Sequence, residues 1–328
     1  MDIALRGQEK RYIGVLLLFN PQKGITVLEP TGKGSGHWVG APSVLYDEDT
    51  SKFYLYYRVR KPRPVRGGEC YIAQSNDGVK FSPIWQAKKE DLNSSSMEKS
   101  CIIKTLEGKY RLYISYVDPV DSRWRIDMME ASCPVDFNIT RRKPILTASS
   151  SKCEGVKDPY VLTIGRRYYM IVSYASIYGT VNGELRKKMH ATADAYNTGL
   201  IKSRTGLAVS NDGVNFNWWG DILSPGKDWD AYTSRISCIL YIPPVFTAFY
   251  DGSSTVKENY EEKTGLAISF DLMHYDKITE KKPILTSPYA SGALRYMDGI
   301  IVEDDIYFYY EYAREDGSHE LRMNKVRL

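Results

Sequence analysis

Apolar and polar positions alternate with a period of two through much of this chain, in short runs separated by stretches rich in Asp, Asn, Gly and Ser. Such runs are the pattern of half-buried β-strands joined by tight turns. One module recurs. Its first copy reads Ala41-Pro42-Ser43-Val44-Leu45, then Phe53-Tyr54-Leu55-Tyr56-Tyr57-Arg58, then Ala73-Gln74-Ser75-Asn76-Asp77-Gly78-Val79-Lys80-Phe81. A later copy reads Asp158-Pro159-Tyr160-Val161-Leu162, Tyr168 to Tyr174, and Ala208-Val209-Ser210-Asn211-Asp212-Gly213-Val214-Asn215-Phe216. Weaker copies open at Ser100 and Ser237, and both close on the string Lys-Pro-Ile-Leu-Thr, at 143–147 and 282–286. A last copy runs from Arg295 through Ile306 to Tyr312 and stops after a third strand, 320–328.

Strand starts at Ala41, Ser100, Asp158, Ser237 and Met297 are 59, 58, 79 and 60 residues apart, the long interval holding a polar insertion at 177–204. Four strands per repeat with radial closure predict an all-β, five-bladed β-propeller, one domain over 1–328. The blades are expected at about 37–92, 93–150, 151–226, 227–288 and 289–328. An N-terminal strand at about 11–20, Tyr12 to Phe19, is expected to pair with the last blade and close the ring. A β-sandwich with coincidental internal similarity is the competing reading.

Composition narrows the function. The 26 Tyr, 9 Phe and 6 Trp suit strands. Basic and acidic residues number 44 and 40, a net +4 without a block of either sign, so no footprint for nucleic acid or an anionic membrane is expected. Cys70, Cys101, Cys133, Cys153 and Cys238 are scattered without zinc-ligand spacing and read as thiols of a reducing compartment. The apolar run Ile13 to Phe19 is too short to span a membrane, and a cytoplasmic location is expected. No HExxH, GxGxxG or P-loop motif is present, so neither a catalytic metal nor another cofactor is expected.

The module, with Asp158-Pro159 opening a strand, resembles the five-bladed propeller superfamily of glycoside hydrolases that includes families 43, 32 and 130. The resemblance covers nearly the whole chain. It implies a carbohydrate substrate, cleavage of a glycosidic bond by carboxylates in a central funnel, and inversion at the anomeric carbon. The sequence departs from those families at Ala41 and Ser100, which stand where carboxylates would be expected, so a full catalytic triad does not carry over. The Ser-Asn-Asp-Gly turns also resemble the Asp-box turns of sialidases, where they cap hairpins, and they read as structural.

Geometry groups candidates independently. Side chains two apart on a strand share a face, so alignment on Asp158 also brings Val39, Glu98, Val156, Arg235 and Arg295 to one level. The ends of the second strands add Arg58, Asp118, Ser173, Asp251 and Glu311. Asp158 is the expected base and Glu98 the expected acid, with Asp251 and Glu311 as further catalytic candidates. Arg58, Asp118, Arg235, Arg295, Tyr296, Trp38, Trp229 and His319 are expected to bind substrate through hydrogen bonds or ring stacking. Arg58, Arg235 and Arg295 also suit phosphate, which makes phosphorolysis the second enzymatic reading. Ala41 and Ser100 motivate a third, a carbohydrate-binding propeller without catalysis.

Overall fold

The computed structural model describes residues 18–328. Its strands follow one another in antiparallel groups of four. The first is β2 (Trp38–Asp47), β3 (Lys52–Lys61), β4 (Arg66–Ser75) and β5 (Ser82–Lys88). The second is β6 (Cys101–Lys104), β7 (Tyr110–Val117), β8 (Trp124–Ala131) and β9 (Lys143–Leu146). Next come β10 (Val156–Ile164), β11 (Arg167–Ile177), β12 (Ile201–Ser210) and β13 (Asn217–Leu223). They are followed by β14 (Thr233–Ile242), β15 (Val245–Ser253), β16 (Lys263–Ser269) and β17 (Asp276–Lys277). Last are β18 (Leu294–Val302), β19 (Asp305–Ala313) and β20 (His319–Arg327). One α-helix is present among the described residues, α1 (Gly183–Ala191), in the polar insertion between β11 and β12.

The last group takes its fourth strand from the N-terminal side, but from a different segment than the sequence suggested. β1 (Ile25–Leu28) pairs antiparallel with β20, Ile25 opposite Met323. The expected strand Tyr12 to Phe19 lies outside the described residues up to position 17. Phe19 packs its ring on Phe308 and Tyr310, with centroids 4.8 and 5.5 Å apart. Arg322 fixes β1 by donating to the carbonyls of Gln22 and Gly24 at 3.0 and 2.9 Å.

The first strands of the groups pack on one another in cyclic order, β2 on β6, β6 on β10, β10 on β14, β14 on β18, and β18 back on β2. Apolar clusters fill the wedges between neighbouring groups, for instance Ile171, Leu207, Ile236, Phe249, Ala267 and Phe308. The tyrosines of the second strands join groups as well as filling space. Tyr309 donates to the Gly78 carbonyl at 2.6 Å and Tyr113 to the Gly213 carbonyl at 2.7 Å, each pinning a turn of another group. Those turns share one wiring. Asp77 Oδ1 accepts from the N–H groups of Val79 and Lys80, Asp212 Oδ1 from Val214 and Asn215, and Asp271 Oδ1 from Met273 and His274, all at 2.8 Å. Four of the cysteines are buried, Cys133 is half-buried, and all five are unpaired.

Candidate functional site

The site is built where the first strands start, and an irregularity repeated in four of them builds it. The register slips between Gly40 and Ser43 in β2, Lys157 and Tyr160 in β10, Ile236 and Cys238 in β14, and Arg295 and Asp298 in β18. Bulges of this kind bend a strand and re-aim its side chains. Within three of them Ala41, Asp158 and Tyr296 have φ of 53°, 55° and 53°, a conformation that costs a residue with a side chain on the order of 1–2 kcal/mol. Asp158 and Tyr296 are thereby turned into the centre of the ring. Opposite one another across the first two strands stand Gly40 and Arg58, Lys157 and Ser173, Arg235 and Asp251, and Arg295 and Glu311. Gly40 is needed there, because a Cβ would fall 2.5 Å from Glu311 Oε2.

These residues form one buried ionic cluster. Arg58 reaches Glu98 and Glu311, both at 3.0 Å, and Arg60 reaches Glu98 at 2.9 Å. Arg235 joins Asp158 at 2.9 Å to Asp251 at 2.8 Å, and lies 3.6 Å from Glu262. Arg295 joins Glu262 at 2.7 Å to Glu311 at 2.6 Å. Lys157 lies 3.3 Å from Asp158. Every residue named here is buried, with 4% or less of its surface exposed. Buried charges survive only when paired, and cations and carboxylates here are equal in number.

Tyr296 is the hub. Its hydroxyl donates to Glu98 and accepts from Arg235, both at 3.3 Å, and its backbone N–H donates to Asp251 at 3.0 Å. The guanidinium carbons of Arg235 and Arg295 lie 4.1 and 4.7 Å from its ring centroid. Trp38 stacks on His319 at 4.5 Å with Arg295 over its face, and His319 Nδ1 lies 2.8 Å from Glu311.

The surroundings separate the carboxyl groups. Burial alone would raise Glu98, but Arg58, Lys157 and Arg60 outweigh it and hold Glu98 at about 2. Glu311 is likewise held well below the ordinary range against the effect of burial, by Arg295 and Arg58. Asp251 goes the other way. Burial, reinforced by the nearby Glu262, pushes it up to about 6 in spite of Arg235 and the Tyr296 N–H. Four buried polar atoms of the cluster lack a hydrogen-bond partner among the described residues: Asp158 Oδ1, Glu262 Oε1, and Nε and Nη1 of Arg58. Two acceptors and two donors within one cluster suit a hydroxylated ligand. Among the described residues no group of three or more His, Cys, Asp and Glu is arranged to hold a metal ion.

Of the residues singled out in the sequence, Asp158, Glu98, Asp251, Glu311, Arg58, Arg235, Arg295, Tyr296, Trp38 and His319 are brought together here. Two are not. Asp118 lies past the end of β7, paired with Arg125 at 2.5 Å, and Ser115 takes the equivalent level, accepting the Glu98 N–H at 3.1 Å. Trp229 stacks on Tyr250 at 5.5 Å and donates to the Thr279 carbonyl at 2.7 Å, inside its own strand group. Val39 and Val156 were expected at the level now held by Gly40 and Lys157; both belong instead to apolar clusters. A one-residue slip at a bulge moves a side chain to the other face. Glu262, Lys157 and Arg60 were missed. Glu262 lies in Glu261-Glu262-Lys263, which reads as a solvated charged loop. The period-two alternation that marks Arg58 marks Arg60 as well.

The strand arrangement is similar to that of solved β-propeller glycoside hydrolases and phosphorylases. A glycosyl hydrolase from Bacteroides ovatus superposes with a TM-score of 0.63 at 12% identity, over 94% of both chains. The β-1,2-mannobiose phosphorylase of Listeria innocua, in complex with β-1,2-mannobiose, gives 0.62 at 14%, over 92% of this chain and 94% of that one. A third structure, from a study of family 130 hydrolases that target β-1,2-mannosidic linkages in Candida mannan, gives 0.61 at 15%, over 93% and 92%. At these identities the likeness is one of fold. No family model matches the sequence, and no curated protein does.

Proposed function

We propose that the strand groups are the blades of a five-bladed propeller and that the chain is a glycoside hydrolase working at the axial cluster. One observation carries the reading: Arg235 holds two carboxyl groups, Asp158 with a free oxygen and Asp251 poised to keep a proton. Groups whose surroundings drive them apart in this way divide into base and acid. Asp158 Oδ1 takes a proton from water while the water oxygen bonds to the anomeric carbon. The bond from that carbon to the glycosidic oxygen breaks, its electron pair goes to the oxygen, and Asp251 supplies the proton. Direct attack by water inverts the anomeric centre. Glu98, held ionised, orients Arg58, Arg60 and Tyr296, a role opposite to the acid expected from the sequence.

Hydrolysis is favoured over phosphorolysis by the state of the arginines. Arg58, Arg60, Arg235 and Arg295 are each paired with carboxylates, and an incoming phosphate would meet the unpartnered oxygens of Asp158 and Glu262, with only Arg58 of the four keeping nitrogens without a hydrogen-bond partner to receive it. The test is a panel of aryl glycosides and disaccharides, β-mannosides included, with and without inorganic phosphate, read by NMR for the first anomer released. Phosphate-independent turnover with inversion, lost in Asp158→Asn and Asp251→Asn, is expected. A strict phosphate requirement or a retained anomer overturns the mechanism, and no turnover with any glycoside overturns the enzyme.

A further inference from the structure

The cluster is buried, and the insertion at 178–200, which the reaction scheme above does not use, packs against it. Its two stems are joined by the Tyr178 N–H donating to the Leu200 carbonyl at 3.0 Å. Just inside that joint stand Gly179 and Gly199, both with φ of 76°, a conformation glycine enters at no steric cost. Between them α1 and the turn Ala195–Asn197 form a flap with an apolar underside. Met189, Ala195 and Tyr196 are buried against Val117, Trp124, Ile201 and Tyr232, while most of α1 faces solvent.

The flap touches the cluster and is fastened beyond it. The Tyr196 hydroxyl donates to the carbonyls of Gly155 and Ser173 at 3.0 and 3.1 Å, and its ring lies 4.8 Å from Lys157 Nζ. The neighbouring Asp194 is gripped from two other strand groups, by Arg63 and Arg66 of the β3–β4 hairpin and by the Tyr260 hydroxyl between β15 and β16. Arg66 also donates to the Ala193 carbonyl at 2.9 Å. The Tyr260 ring in turn carries Arg60 at 4.7 Å and Lys157 at 5.6 Å. One carboxylate therefore ties three parts of the ring together over the site. Its outermost partner, the half-exposed Arg63 side chain, can be released without disturbing the core.

We infer that residues 178–200 are a hinged cover latched by Asp194, and that this cover restricts the site to a small glycoside or the end unit of a chain. The restriction follows from closure: a polymer crossing the mouth would hold Asp194 away from Arg63, Arg66 and Tyr260. This inference rests on the axial cluster being the reaction site. The test is hydrogen exchange on the full chain with Asp194→Asn and Arg63→Ala, the second variant covering the case in which the first does not fold. Amides of 183–197 are expected to exchange at least about tenfold faster in either variant, with the strand amides unchanged. Unchanged exchange at 183–197, or acceleration throughout the molecule, overturns the cover. With the glycosides of the preceding test, longer chains are expected to gain on disaccharides once the latch is cut. If the cover loosens but no glycoside is turned over by any form, the hinge stands and the glycosidase reading falls.

Discussion

Replacing Glu98 by Gln removes one charge from the cluster at nearly constant volume. Glu98 is ion-paired with Arg58 at 3.0 Å, accepts a hydrogen bond from Arg60 at 2.9 Å, and lies at about 2 in the folded protein, against 4.5 for an unperturbed glutamate. That gap corresponds to about 3 kcal/mol of stability at neutral pH. Removing one partner of a buried pair costs about 3–5 kcal/mol by experience with other proteins, so two separate routes give the same size. The pH dependence is the sharper signature. A carboxyl group with a depressed folded-state value contributes fully above its unfolded value and loses the contribution as pH falls toward the folded one. The difference between wild type and Glu98→Gln should therefore shrink from about 3 kcal/mol at pH 7 to about 2 kcal/mol at pH 3.5. Urea unfolding followed by tryptophan fluorescence and by circular dichroism measures it, and coincidence of the two probes establishes that the transition is cooperative. A loss below about 1 kcal/mol at pH 7, or one that does not shrink in acid, would refute the electrostatic account of the cluster.

Asp251, raised to about 6, should impose a limb on the activity profile: as the proton donor it must be protonated, so kcat/KM falls as pH rises through about 6. Its folded value lies above the unfolded one, so the same group weakens the fold as pH climbs from about 4 to about 6, and Asp251→Asn should flatten that part of a stability–pH curve. Glu262→Gln takes away a charge that pushes Asp251 up, and the limb should then move to lower pH while the fold is retained. Arg322→Ala frees the carbonyls of Gln22 and Gly24; a loss of about 1–3 kcal/mol, with faster exchange confined to β1 and its partner β20, is the expected result. Asp212→Ala removes the acceptor of two turn N–H groups and should lower the melting temperature by a few degrees without changing activity, since that turn is remote from the axis.

The chain's own pattern made the strand-rich repeat legible because its signals are local. A Ser-x-Asp turn wires itself through its own side chains, as Ser75 with Asp77 and Ser210 with Asp212 do, and such a turn looks the same wherever it occurs. Much of the cluster was legible for a related reason. Arg58, Asp251 and Glu311 end second strands and Arg235 and Arg295 begin first strands, so alternation places them at one level without knowledge of contacts. Asp118 and Trp229 fall outside because β7 ends at Val117 and because Trp229 lies in a loop before β14, stacked on Tyr250. Lys157 was displaced by one position because a bulge is invisible in an alternating pattern.

Tertiary structure decided what each group does. Nothing in Glu261-Glu262-Lys263 distinguishes a solvated glutamate from one wedged between Arg235 and Arg295; only the placing of the segment before β16 beside Arg235 of β14 and Arg295 of β18 does. The same holds for Glu98 and Asp251, two carboxyl groups with the same chemistry in the sequence. Three cations close around one and a neighbouring carboxylate crowds the other, and the field at each side chain, a sum over residues far apart in the chain, lowers the pKa of one and raises that of the other.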